Sequence, residues 1–306
     1  MRKTFVKTLV EEAKKDKDIF LITGDLGFMA LEEFSDAFPD RYLNIGVAEQ
    51  NMIGVAAGFA MSGKNVYVYS IIPFATMRPF EQIRNDLCYQ NLNVKVVGVG
   101  AGFSYSLYGA THQGVEDMAL MRALPNMTVT APGDPVEVWE VTKASVRYKG
   151  PMYIRLGKAG EPVVHTKGIK DFRIGKTVQV FSGKDATIFV TSNMLETAFK
   201  AVEELRKQGI DCRLVSVPTI KPMDRGAVVR AAKQTRAIIT VEEHNIIGGL
   251  GSAVAEVLAE SGLRVKFKRL GVPDCYPKVL GSQVFIREKL GIGTAQIIRT
   301  VKNMIG

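Results

Sequence analysis

At 306 residues the chain is long enough for two domains of ordinary size, each with its own core. Its 46% apolar and 23% charged content describes a globular protein, and no run approaches the roughly eighteen uninterrupted apolar residues of a membrane-spanning helix. Forty basic against thirty-one acidic residues leave a net charge of +9, but the basic residues are dispersed and not interleaved with aromatics. They read as solvated surface, with phosphate-bearing small molecules as the second reading and no nucleic acid as a partner.

The opening stretch MRKTFVKTLVEEAKKDKD brings acids and lysines too early for a secretory segment, so a cytoplasmic enzyme is expected. Within it Phe5, Val6, Leu9, Val10 and Ala13 recur at helical spacing and predict a first helix. Strand-like apolar runs follow at Ile19 to Thr23, Asn65 to Ile71, Val94 to Gly100, Met127 to Ala131 and Met152 to Leu156, with amphipathic segments between them. Continuous apolar strands joined by connections too long for hairpins predict a parallel sheet covered by helices on both faces.

After Leu156 the pattern gives way to GKAGEPVVHTKGIKDFRIGK, rich in glycine and lysine, which reads as an interdomain linker over 166–180. A second series has strands at Ala186 to Ser192, Cys212 to Pro218, Ala237 to Glu243 and Arg264 to Gly271, with helices near 195–208, 224–235, 250–261 and 282–304. The expected fold class is therefore α/β, with two parallel-sheet α/β domains over 1–165 and 181–306. Cys88, Cys212 and Cys275 lie far apart and form no CxxC pair, so neither a disulfide framework nor a zinc site is expected.

Three segments carry candidate chemistry. In NIGVAEQNMIGVAAGFA (Asn44 to Ala60), Glu49 precedes Met52, Ile53, Val55, Ala56, Ala57 and Phe59, which are apolar or small on nearly every helix face. A carboxyl group buried there is protonated, paired with a cation or hydrogen-bonded; a first-turn acid satisfied by free backbone donors is the other reading. SIIPFATMRPFEQIRNDL (Ser70 to Leu87) starts at a strand end and enters a helix, where ligands sit in open α/β sheets, and it holds Phe74, Met77 and Phe80. GATHQGVED (Gly109 to Asp117) sets His112 in a glycine-bounded loop before a predicted helix, with Thr111 placed to cap it. Further on, Gly248, Gly249 and Gly251 read as a tight turn at a helix start after His244, with phosphate binding only weakly suggested.

These segments resemble the thiamine-diphosphate enzymes, in the form seen in transketolase and deoxyxylulose-phosphate synthase. The resemblance implies that Glu49 contacts the N1′ nitrogen of the aminopyrimidine and drives its imino tautomer, while Phe74 and Phe80 stack on that ring. It implies that Asp25, in TGDLGF, lies near the cofactor and that His112 stabilises oxygen charge on the sugar. Arg155, at the end of the YIRLGK strand, and Arg2, at the start of the first helix, match positions that hold the sugar-phosphate end. The two domains would be a pyrimidine-binding domain followed by a transketolase C-terminal domain.

The diphosphate motif of these enzymes, GDG followed by an asparagine pair, is absent: GDL at Gly24 and GDP at Gly133 lack that context. The chain is thus similar to the C-terminal subunit of a split transketolase. That implies thiamine diphosphate bound at the interface with an N-terminal subunit, Mg2+ ligands on that partner and none here, and an α2β2 heterotetramer. It also implies ketol transfer between sugar phosphates of the pentose phosphate type. Tyr108 stands where the family usually has an acid, Met29 replaces a phosphate-contacting serine and Gly100 a second histidine, so the sugar stays open. A deoxyxylulose-phosphate-synthase-like enzyme, a 2-oxoacid dehydrogenase beta-type subunit and a non-catalytic relative are the alternatives.

Overall fold

The apolar stripe of the first helix closes against the first strands. In the computed structural model, which describes residues 1–306, α1 (Arg2–Ala13) buries Phe5, Val6, Leu9, Val10 and Ala13. The chain continues through β1 (Ile19–Thr23), α2 (Glu32–Ala37), β2 (Tyr42–Asn44), α3 (Glu49–Met61), β3 (Asn65–Ile71), α4 (Ile72–Thr76) and α5 (Phe80–Gln82), which runs on as a π-helical stretch at Ile83–Tyr89. β4 (Val94–Val99), α6 (Asp117–Ala123), β5 (Thr128–Thr130), α7 (Pro135–Arg147) and β6 (Met152–Leu156) complete the first half. The second half holds β7 (Val178–Phe181), β8 (Ala186–Val190), α8 (Leu195–Lys207), β9 (Cys212–Ser216), β10 (Thr219–Lys221), α9 (Arg225–Gln234), β11 (Ala237–Asn245), α10 (Leu250–Ser261), β12 (Lys266–Val272), α11 (Gln283–Lys289) and α12 (Thr294–Ile305).

Two sheets result, ordered β10-β5-β6-β4-β3-β1-β2 and β12-β11-β8-β9-β7. Every strand of the first half pairs in parallel. Each sheet nevertheless ends in one antiparallel strand, β10 against β5 and β7 against β9, so the expected parallel sheets are mixed at one edge. β10 belongs by sequence to the second domain and by pairing to the first. The short strands β2, β7 and β10 were not foreseen, because three or four residues carry too little alternation to be seen; β7 begins inside the segment read as linker. The helix expected over 282–304 is two helices, broken where Gly291 takes a φ of 71°.

One core cluster gathers Ile22, Val66 and Met118 of the first half with Phe189, Val228 and Leu250 of the second. The domains therefore share apolar interior rather than meeting across water. No helix is long and apolar enough to cross a membrane.

After β1 the chain leads outward to β2, and after β3 it leads the other way to β4. These adjacent strands diverge beyond their carboxyl ends, which opens a crevice at the topological switch point. The β1 end leads into Asp25, the β3 end into Phe74, and α3, returning across the sheet, starts with Glu49. The second sheet has its own switch point between β8 and β11, and the first domain fills it.

Candidate active site

Glu49 opens α3 with its side chain only 4% exposed. The helix N-cap, Ala48, has no side-chain oxygen to cap with, and the Glu49 carboxylate takes a cation as its partner rather than backbone donors. Arg78 Nη1 donates to Oε1 at 3.0 Å and to Oε2 at 3.2 Å. The same guanidinium lies with Cζ 3.9 Å from the centre of the Phe74 ring. Arg78, next to Met77 in SIIPFATMRPFEQIRNDL, carries no sequence signal beyond its place in that segment.

Phe74 in turn meets His112 edge-on, with ring centres 5.1 Å apart at 70°. Tyr108 covers the imidazole at 5.0 Å and 31°, and Thr111 Oγ1 lies 2.9 Å from Nδ1, leaving Nε2 without a partner in the chain. Partial burial, with the Arg78 charge adding to it, holds the imidazole below its ordinary range, so the ring is neutral at pH 7. Thr111 does not cap a helix: its hydroxyl donates to Tyr108 O, and α6 does not begin until Asp117.

Asp25 sits in a left-handed turn with φ 57° and is exposed. Its N–H donates to Asn44 Oδ1 at 3.0 Å, and Asn44 Nδ2 donates back to its carboxylate at 3.0 Å. Asn44 Oδ1 also accepts from Gly46 N, so this reciprocal pair ties the β1 turn to the approach into Glu49. Phe80, half-buried, packs against the large shared core.

Arg2 Nε and the Tyr69 hydroxyl are both buried, and the Arg2 charge lies beside that phenol, opposing the upward shift that burial gives it. Burial raises the Tyr105 phenol above its ordinary range while the charge of Arg2 opposes that shift. Lys158 Nζ lies 4.6 Å from the centre of the same Tyr105 ring. Tyr105 is therefore flanked by two cations; Lys158 carries no sequence signal because it lies in the stretch after Leu156 that is rich in glycine and lysine and looks like a linker.

Arg155 departs from the expected phosphate role. Its side chain is wholly buried, and it donates to Asp117 Oδ2 at 2.8 Å, Ser192 Oγ at 2.9 Å, Gly114 O at 2.6 Å and Glu243 O at 3.0 Å. A guanidinium so committed has no face for a sugar. It plugs the switch point of the second sheet, where Asn193 Nδ2 also reaches Ala101 O and Glu243 pairs with Arg287 at 2.7 Å.

The glycine turn is likewise occupied from within. Leu250 N and Gly251 N donate to Glu242 at 2.6 and 2.8 Å, so the free donors of α10 are taken by the chain's own carboxylate rather than left for a phosphate. Burial pushes Glu242 up to about 7 and His244 down to about 4. His244 Nδ1 lies 2.7 Å from Asn245 O, and Ala119 N donates to Nε2 at 3.3 Å.

No group of three or more His, Cys, Asp or Glu side chains could hold a metal ion. A cavity of about 610 Å³ lies between residues 162–168 and α8 and is lined by none of the groups above. Glu49, Phe74 and His112 are instead linked in a row, the first two through the Arg78 guanidinium and the last two by their edge-on ring contact.

Residues 1–160 match the family described as transketolase, pyrimidine binding domain, and residues 175–297 that described as transketolase, C-terminal domain. A putative transketolase C-terminal section of Methanocaldococcus jannaschii is 42% identical over 90% of this chain and 87% of its own. The 6-deoxy-6-sulfo-D-fructose transketolase subunit of Clostridium sp. strain MSTE9 is 40% identical over 98% and 92%. A solved split gene transketolase, described as an inactive beta4 tetramer, superimposes with a TM-score of 0.91 at 38% identity, covering 99% of this chain and 97% of that one.

Proposed function

The chain belongs to the transketolase family, in the split form whose C-terminal section is a separate subunit, and from that premise we propose that it carries half of a ketol-transfer site. The reaction is movement of a two-carbon unit from a ketose phosphate to an aldose phosphate. The observation that carries this reading is a buried carboxylate, Glu49, that shares one half-exposed side chain, Arg78, with the aromatic ring of Phe74 and has no other hydrogen-bond partner.

That donor set fits an aminopyrimidine, whose nitrogen edge needs an acid and whose face needs a flat apolar partner. Thiamine diphosphate seated there supplies the electron sink for carbon–carbon cleavage. Glu49 holds and moves a proton at the ring nitrogen. Phe74 fixes the plane of the ring, and Asp25 holds the β1 turn beside it. His112, neutral and with Nε2 left without a partner in the chain, donates to or takes a proton from the sugar oxygen. Arg2 and Lys158 hold the anionic end of the substrate.

Mg2+ and the diphosphate are assigned to the N-terminal subunit. Its docking face includes α3, where Gln50, Asn51, Gly54, Gly58 and Met61 are exposed and the space over both glycines is open, so another backbone can approach closely. Two copies of each chain make the α2β2 assembly. The inactivity stated for the beta4 tetramer supports dependence on the partner.

The test is reconstitution with a chain that carries the GDG and asparagine motif. Ketose phosphates, a sulfonated ketose and pyruvate are then compared as donors in the presence of thiamine diphosphate and Mg2+. Ketol transfer from a sugar donor is the expected result. Carbon dioxide release from pyruvate without ketol transfer replaces this function with a decarboxylating one, and turnover by the chain alone removes the shared site.

A further inference from the structure

Glu49 and Phe74 open onto the same space, and one side chain already fills it. The Arg78 guanidinium meets both carboxylate oxygens with one nitrogen, Nη1, and its Cζ lies 3.9 Å from the centre of the Phe74 ring. A guanidinium is flat, cationic and edged with N–H donors, so it satisfies an acid and an aromatic face at once. An aminopyrimidine makes the same two demands: a nitrogen edge toward the acid and a planar face toward the ring. Both cannot occupy that space.

Arg78 is also built to leave. Its side chain is 46% exposed, and only Nη1 is hydrogen-bonded. Its carbonyl accepts from Gln50 Nε2 at 3.3 Å, which ties the backbone to α3 while the side chain alone is free to swing into solvent. Arg155 shows the contrast: its guanidinium is locked by several partners and wholly buried.

We propose that Arg78 is a stand-in occupant of the pyrimidine slot, which closes the site in the unloaded subunit and must swing off Glu49 and Phe74 before the cofactor ring seats. The inference rests on the reading of Glu49 given above. Its physical logic is that a carboxylate so deeply buried is costly when unpaired, so the free chain keeps a cation on it until the ring takes over that contact. The exchange lowers apparent cofactor affinity, because only the open population binds. A half-exposed ion pair together with a cation–π contact corresponds to about tenfold in affinity.

The experiment is calorimetric titration of thiamine diphosphate with Mg2+ into the reconstituted two-subunit complex, with association rates from stopped-flow near-UV signals. Wild type, Arg78→Met, Arg78→Lys, Glu49→Gln and the double variant Glu49→Gln/Arg78→Met are compared. Arg78→Met should bind about tenfold tighter and associate faster, Arg78→Lys should stay close to wild type, and the gain from removing Arg78 should shrink in the Glu49→Gln background. Thermal melts confirm that each variant is folded. Affinity unchanged or weakened in Arg78→Met overturns the stand-in, the latter by making Arg78 a direct cofactor contact. If the wild-type complex binds no thiamine diphosphate, the proposed function fails and this inference with it; if it binds and Arg78→Met does not tighten, only this inference fails.

Discussion

Arg155 Nε donates to Asp117 Oδ2 at 2.8 Å with both side chains wholly buried, and the other end of the same guanidinium reaches Ser192 and Glu243 in the second domain. One cation thus neutralises an acid of its own domain and binds the neighbouring domain's switch point.

Arg155→Met takes the cation away from the buried Asp117 and leaves it the Tyr153 hydroxyl as a neutral partner. The expected loss is about 3–5 kcal/mol of stability, read from urea unfolding. A variant of wild-type stability with a raised Michaelis constant for sugar phosphate would return Arg155 to substrate binding.

Gly102 has φ 59°, and a Cβ added there would overlap the Glu243 carboxylate that Arg287, Asn193 and Gln283 hold. Gly102→Ala should therefore cost more than about 2 kcal/mol, from backbone strain and steric overlap together. The check is a lowered melting temperature. An unaltered melt would mean that the seam between the domains has room to give.

Glu49→Gln keeps the shape of the acid and removes its proton chemistry. In the reconstituted complex, turnover should fall by at least about 10²-fold, while unfolding changes little because the Arg78 pair is half exposed. Steady-state rates beside thermal melts decide it, and full turnover in the variant would end the proton-relay role.

Arg2→Ala and Lys158→Ala should each raise the Michaelis constant for a phosphorylated sugar by about tenfold, the loss of one charge-assisted contact. kcat should hold, and a sugar without an anionic group should show no change. Equal effects on both sugars would place these cations outside the substrate site.

His244 supplies the pH dependence. Burial holds it down to about 4 in the folded chain against about 6.5 when exposed. Between those values the unfolded chain binds more protons than the folded one, so stability falls as pH drops from 6.5 toward 4. The loss reaches at most about 3 kcal/mol, and it acts on the contact with Ala119 N that spans the two domains. Urea unfolding across that range should show a shallower pH slope for His244→Gln than for wild type.

Long parallel strands were legible because sheets covered on both faces write continuous apolar runs: β3 and β4 are buried along their whole length. The first helix was legible from its stripe. The antiparallel edge strands β7 and β10 were not, since their pairing is decided by β9 and β5, which are distant in sequence. The same limit applies to Arg155, whose type and strand-end position suit a phosphate until its partners Ser192 and Glu243 are known.

The order of residues by itself determined the fold class, the motif around Glu49 and the family resemblance, because periodicity and local motif are short-range properties of a chain. Only the tertiary structure decided that Arg78 covers Glu49 and Phe74, that Lys158 joins Arg2 beside Tyr105, and that Glu242 occupies the donors of the glycine turn. Those outcomes depend on which charges meet once the sheets twist and pack, and a charged side chain's partner is chosen by distance in space.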